Sequence, residues 1–309
     1  MNQRFKLLTV FLGLLSLPMC AAIPVTIQPI TTFPIPTSIK FAEQSISLER
    51  YDMRERFDRE QMGIAYSHSS SLLILKRANR FFPLLEPILK QQGIPDDFKY
   101  LAVTESNLDV RAKSPVQAAG LWQLMPKTAQ ELGLEVNEEV DERYHLEKAT
   151  VAACKYFKRA YAKYKDWNMV AASYNGGMGR ISGEADKQQV NDFFDMLLTA
   201  ETSRYVFRIF VMKQFLENPK AYGYILQKED FYTTISTKTI IVNGSVDDWT
   251  TWAAQQGISY YQLKEFNIWL RDRKLTNASK KEYRIEIPEK SDLKYDQSKI
   301  KIHNPNWIN

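Results

Sequence analysis

Apolar positions along this chain follow a helical rhythm first and a sheet-like one later. Between about Ser47 and Ala200, Leu72, Leu73, Leu75, Phe81, Leu84, Leu85, Ile88 and Leu89 recur at helix intervals. Pro83 and Pro87 are expected to bend or restart that segment. Gly93 is a stop signal, and Pro95-Asp96-Asp97 opens the next helix with negative charge where the helix dipole favours it. Further helices are predicted over about 126–132, 147–165, 167–174, 190–197 and 202–217. Past Asn218-Pro219 the residues become β-branched and aromatic, so Phe231–Ile235 and Thr237–Val242 predict strands, ended by the turn pair Asn243-Gly244. A helical pair (247–256 and 260–266) and a returning strand, Tyr283 to Ile287, complete a βααβ unit.

This pattern predicts a mainly α protein: a helical domain over 47–220, a small α+β module over 232–290 and a tail over 291–309. At 309 residues the chain has room for both. Residues 23–46, with Pro24, Pro29, Pro34 and Pro36, predict an extended proline-rich linker. Ahead of it, Arg4 and Lys6 precede the uncharged run Leu7 to Leu17 and then Met19-Cys20-Ala21-Ala22. That run is too short for a bilayer, which needs about 20 apolar residues, so 1–22 predicts an export signal. Membrane attachment is expected only if Cys20 is lipidated.

Charge and ligand chemistry exclude more than they add. The net charge of +5 is spread without a long basic run, which gives no support for nucleic-acid binding. Three scattered histidines (His68, His145, His303) show no ligand spacing, so neither a metal nor a cofactor is expected. Cys154 lies in a helical pattern and reads as a small core residue rather than a reactive thiol.

The candidate chemistry begins at Glu105, near the end of the apolar helix Phe98 to Ser106. A lone glutamate there is ordinarily solvated or paired. Its company alters the reading: Ser114, Gly120-Leu121-Trp122-Gln123, Ser173-Tyr174-Asn175-Gly176-Gly177 and Glu201-Thr202-Ser203-Arg204-Tyr205 follow in order. No second carboxylate stands out as a partner, since Asp109 follows the helix break at Asn107 and reads as a turn residue.

These motifs resemble those of the lysozyme-like lytic transglycosylases: Glu-Ser, Gly-Leu-(Met/Trp)-Gln, Ala-Tyr-Asn-x-Gly with Ser173 in place of Ala, and Glu-Thr-x-x-Tyr. Asp141-Glu142-Arg143 and Asp166-Trp167 agree as well. The resemblance implies a goose-lysozyme-like helical fold acting on peptidoglycan glycan strands. It makes Glu105 the catalytic acid and then base, cleaving the β-1,4 MurNAc–GlcNAc bond with 1,6-anhydromuramic acid formation. For that, burial must keep Glu105 protonated near neutral pH, with Leu121, Trp122 and Tyr174 expected nearby.

The other matched positions each carry two readings. Ser114 binds substrate or caps the turn before Pro115. Gln123 lines the cleft or is a surface amide. Tyr174 and Asn175 contact substrate or merely close a helix that Gly176-Gly177 would cap. Glu201 faces the cleft or pairs with Arg204, and Tyr205 lines the cleft or the core. The module is similar to LysM glycan-binding modules, with Ser245-Val246 for the usual Asp-Thr and a longer charged insertion at 268–281. Trp249 and Trp252 there either stack on sugars or pack the core. Export to the periplasm or outer envelope and a monomeric state complete the expectations. The alternatives are a goose-type lysozyme or chitinase-like hydrolase, and a wall-binding scaffold without turnover.

Overall fold

A computed structural model of the chain describes residues 31–308. The export-signal and Cys20 readings lie outside the described residues. The first elements correct the linker reading. β1 (Ser38–Phe41) and β2 (Gln44–Ser47) form an antiparallel hairpin whose turn places Ala42 and Glu43 at positive φ. Two successive positive φ values match the right-handed strand twist, which lets two residues close the hairpin. Alternation then points Ile39, Phe41 and Ile46 inward, with Phe41 packed on Phe98 and Phe210. Among the described residues of that stretch, 31–36 keep the irregular character that prolines impose.

The helical layer comprises α1 (Tyr51–Tyr66), α2 (His68–Gln91), α3 (Lys99–Ser106), α4 (Pro126–Glu131), α5 (Leu146–Tyr164), α6 (Trp167–Gly176), α7 (Met178–Gln188) and α8 (Ala200–Glu217). α8 is the hub. Val206, Phe207, Ile209, Phe210, Val211 and Phe215 are buried around its whole circumference, as a helix packed on several sides requires. It lies against α1, α3 and α6. Local chemistry fixes the ends: Asp166 caps α6 by accepting from the Met169 N–H at 2.7 Å, and Pro126 opens α4. Asn107 closes α3 in the left-handed region at φ 51°.

Three expectations fail here for physical reasons. α2 runs unbroken through Pro83 and Pro87, because Leu85 and Leu89 are sealed in the core on both sides of the second proline. The helix expected over 190–197 lies earlier, as α7, where only Ile181 is buried, so its periodicity was faint. Asp192 caps no more than a single 3-10 turn there. Residues 231–236 form no strand. Their backbone instead accepts from α2, Tyr232 O from Asn79 Nδ2 at 3.0 Å and Thr233 O from Arg80 Nε at 2.9 Å.

The C-terminal unit has the predicted order: β3 (Thr237–Val242), α9 (Trp249–Gln255), α10 (Tyr260–Phe266) and β4 (Tyr283–Pro288), with the strands antiparallel from Thr237↔Pro288 to Val242↔Tyr283. Trp249 is fully buried and Trp252 packs edge-on against it at 5.3 Å, which makes Trp249 a core residue. The unit is not separate in space: Phe33–Asn309 form one compact body. Nor is 291–309 a loose tail. Trp307 is 1% exposed, stacks on Phe231 and donates from Nε1 to Leu216 O of α8. Trp307→Ala is expected to lower stability by about 3–5 kcal/mol, the ordinary cost of emptying a buried tryptophan site, as read from urea unfolding monitored by circular dichroism.

Candidate active site

Glu105 sits in the last turn of α3, a helix whose other side chains from Lys99 to Val103 are buried. The αL turn at Asn107 then swings the chain into the loop that carries Ser114 and Gly120–Gln123. Helix α8 crosses behind. From it, Tyr205 donates its hydroxyl to Glu105 Oε1 at 2.5 Å. Burial is the largest influence on Glu105 and raises its pKa to about 7; the Tyr205 bond opposes this, Glu201 adds to it and Arg208 opposes it. The Tyr205 phenol is held well above its usual range by burial and then by the Glu105 charge, so it remains a donor. The sequence alternatives for Tyr205 merge: it is a core residue that touches the carboxyl.

The loop beside Glu105 is held from four directions. Ser106 donates to Leu121 O (2.9 Å), with Ala102 O slightly farther at 3.1 Å, tying α3 to the loop. Tyr174 donates to Trp122 O (2.7 Å), and Trp122 donates from its indole to Thr150 of α5 (2.8 Å). Gln123 adopts φ 47° and turns its amide back on Ala112 O and Gly120 O, so its amide nitrogen braces the loop. The fourth hold is Arg143, which is 6% exposed. Its guanidinium is bidentate on Asp141 and donates to Gln117 O (2.6 Å) and Leu124 O (3.1 Å). Gly120, at φ 75°, passes so close that an added Cβ would lie 2.0 Å from Arg143 O. No other residue fits there.

The remaining candidates divide. Ser114 accepts from the Ala118 N–H at 3.0 Å, which is the turn role, while its own hydroxyl proton has no partner among the described residues. Asn175 accepts from Thr202 at 2.9 Å and so joins α6 to α8. Glu201 is exposed and pairs with Arg208 at 3.4 Å, not with Arg204, because Arg204 and Arg208 both converge on the buried Glu60. Of these candidates Tyr205 is the one hydrogen-bonded to Glu105; Gln123 and Tyr174 brace the neighbouring loop, and Asn175 joins α6 to α8. Thr150, Arg208 and Glu60 carried no sequence signal, since Thr150 meets Trp122 across 28 positions and Glu60 meets Arg208 across 148. Cys154 is buried with its thiol pushed up to about 12, as a core residue would be. The described residues hold no cluster of three or more metal-ligating side chains.

Residues 85–196 match the family model described as the transglycosylase SLT domain. Over that stretch the chain is similar to transglycosylase SLT domains. That domain spans Glu105 through Asn175 but stops short of Tyr205. Residues 238–291 match the soluble lytic transglycosylase C-terminal LysM-like domain. Across 243 residues the chain is 28% identical to the membrane-bound lytic murein transglycosylase D of Escherichia coli K12, covering 77% of this chain and 52% of that protein; the counterpart from E. coli O6:H1 gives the same values. The chain thus spans about half the length of these curated relatives. Among solved structures it is similar to the 70 kDa soluble lytic transglycosylase of E. coli, with 21% identity, a TM-score of 0.40 and coverage of 44% of this chain and 24% of that one.

Around the SLT-domain glutamate the charge balance gives a stability test. The folded pKa of Glu105 lies above its unfolded value of about 4.5, so the fold disfavours the charged form. The penalty is absent below pH 4.5, grows to pH 7 and is complete above it. Glu105→Gln keeps an acceptor for Tyr205 without the charge. It is expected to be more stable than the parent at pH 8, by up to about 3 kcal/mol at 1.4 kcal/mol per pKa unit. The advantage should disappear near pH 4, as read from urea unfolding at both pH values.

Proposed function

We propose that the chain is a peptidoglycan lytic transglycosylase in which Glu105 serves first as acid and then as base. One observation carries this reading: a carboxyl poised near neutrality, hydrogen-bonded by Tyr205, with no second carboxylate in contact. Asp109 is engaged by Arg77 (3.3 Å) and by the Arg111 N–H (2.9 Å), and Glu201 is solvent-facing and paired. A two-carboxylate hydrolase needs an ionised partner or a base for water, and the engagement of Asp109 and Glu201 supports one carboxyl acting twice instead.

Protonated Glu105 gives its proton to the departing glycosidic oxygen as the C1–O bond breaks. The resulting carboxylate is stabilised by the Tyr205 hydroxyl. It then takes the proton from the muramyl C6 hydroxyl, whose oxygen bonds to C1 and closes the 1,6-anhydro ring. The enzyme ends protonated, ready for another cycle. Ser114 offers its free hydroxyl proton to the sugar, and Tyr174 sets the loop against which the sugar rests. The relatives' names and the LysM-like domain support peptidoglycan as substrate. An exported, envelope-located monomer fits this substrate, and no helix among the described residues is long and apolar enough to cross a membrane.

Purified sacculi incubated with the protein should release muropeptides bearing 1,6-anhydro ends, seen by mass spectrometry, and Glu105→Gln should lose at least about 100-fold of this rate, the scale of one general acid/base. The rate should fall as pH rises through 7, where the acid form is lost. Reducing ends would assign a hydrolase, and equal traces from both proteins would assign a scaffold without turnover.

A further inference from the structure

The charged insertion at 268–281 departs from the LysM pattern, and it lies where the C-terminal unit meets the helical body. Two backbone bonds join them as a short antiparallel bridge: Asp141 N to Trp269 O and Arg271 N to Glu139 O, both 2.8 Å. Glu139 accepts from Thr276 twice, from N at 2.7 Å and Oγ1 at 2.6 Å. Lys281 donates to Glu135 (2.6 Å) and Glu142 (3.2 Å). Trp269 and Leu270 are buried in one apolar cluster with Ala119 and Val140 of the helical body.

This junction is built on the residues that hold the catalytic loop. Asp141, whose N–H is fixed by Trp269, is the partner of Arg143. Arg143 holds Gln117 O and Leu124 O, and Ala119, between them, belongs to the apolar cluster shared with the unit. The loop continues to Leu121 O, which Ser106 binds one residue from Glu105. We infer that the C-terminal unit is a brace for the catalytic loop, with Glu139 and Lys281 as positioning residues, independently of any glycan it holds.

The inference rests on the transglycosylase reading, and the experiment separates the two. Full-length protein and the double variant Glu139→Ala/Lys281→Ala are compared on sacculi across pH. Both side chains are at least partly exposed, so the variant is expected to fold, as circular dichroism checks. With the loop less fixed, kcat should fall about tenfold while KM stays within about twofold, the scale of a small misplacement of reacting groups. Glu105 is faced by Tyr205, Tyr174, Glu201 and Arg208, none of them altered. Water admitted beside it should move the falling limb of the pH profile to lower pH. A loss of folded protein would scale the profile without moving it. Glu139→Gln, which keeps an acceptor for Thr276, should restore most of the rate in the single-site comparison with Glu139→Ala. Unchanged kcat, a loss confined to KM, or an unmoved limb overturns the brace. A parent protein that releases no muropeptide overturns the transglycosylase reading instead.

Discussion

One carboxyl group, enclosed by an apolar helix end and stabilised by one phenol, sets the demands on the rest of the molecule. A buried carboxylate without compensation would stay protonated far above neutrality, and a well-solvated one would be ionised at pH 5. Tyr205 holds the balance between these limits. It can do so only because α8, buried on all sides, fixes its position against α3. The packing of a core helix is therefore part of the acid–base chemistry.

The loop opposite depends on a second buried interaction. Asp141 and Arg143 neutralise one another within two residues, which leaves the guanidinium free to bind two loop carbonyls. Removing one member of such a pair strands the other, at a cost of about 3–5 kcal/mol. The arrangement joins the loop beside Glu105 to the C-terminal unit, since the same aspartate's N–H bonds to Trp269 O. Loop shape and inter-unit docking meet in one short segment, 139–143.

Much of this was legible in the sequence because the signals were local or ordered. The helix around 147–165 has a strong apolar stripe, while those around 126–132 and 202–217 are marked by Pro126 at the start and by a dense apolar run, and the βααβ order appears with α10 at Tyr260–Phe266 as expected. Glu105 emerged from motif order, and its contact with Tyr205 spans 100 positions that no local pattern encodes. The hairpin at 38–47 was hidden by neighbouring prolines, and its turn uses Ala42-Glu43 rather than a glycine signal. The docking of the tail was not legible because Trp307 finds its partners far back in the chain, Phe82 of α2 and Leu216 O of α8. Gln123 and Glu201 kept their places in the motifs, but bonds to the loop backbone and to Arg208 decided what they touch.

The central claim concerns the state of one proton. Carbon-13 NMR of protein labelled at glutamate side-chain carboxyls, assigned with Glu105→Gln, follows that proton directly during a pH titration. The account predicts a Glu105 midpoint near 7, moving higher in Tyr205→Phe, where the opposing hydrogen bond is gone. A midpoint near the ordinary 4.5, or one that Tyr205→Phe leaves in place, would contradict it.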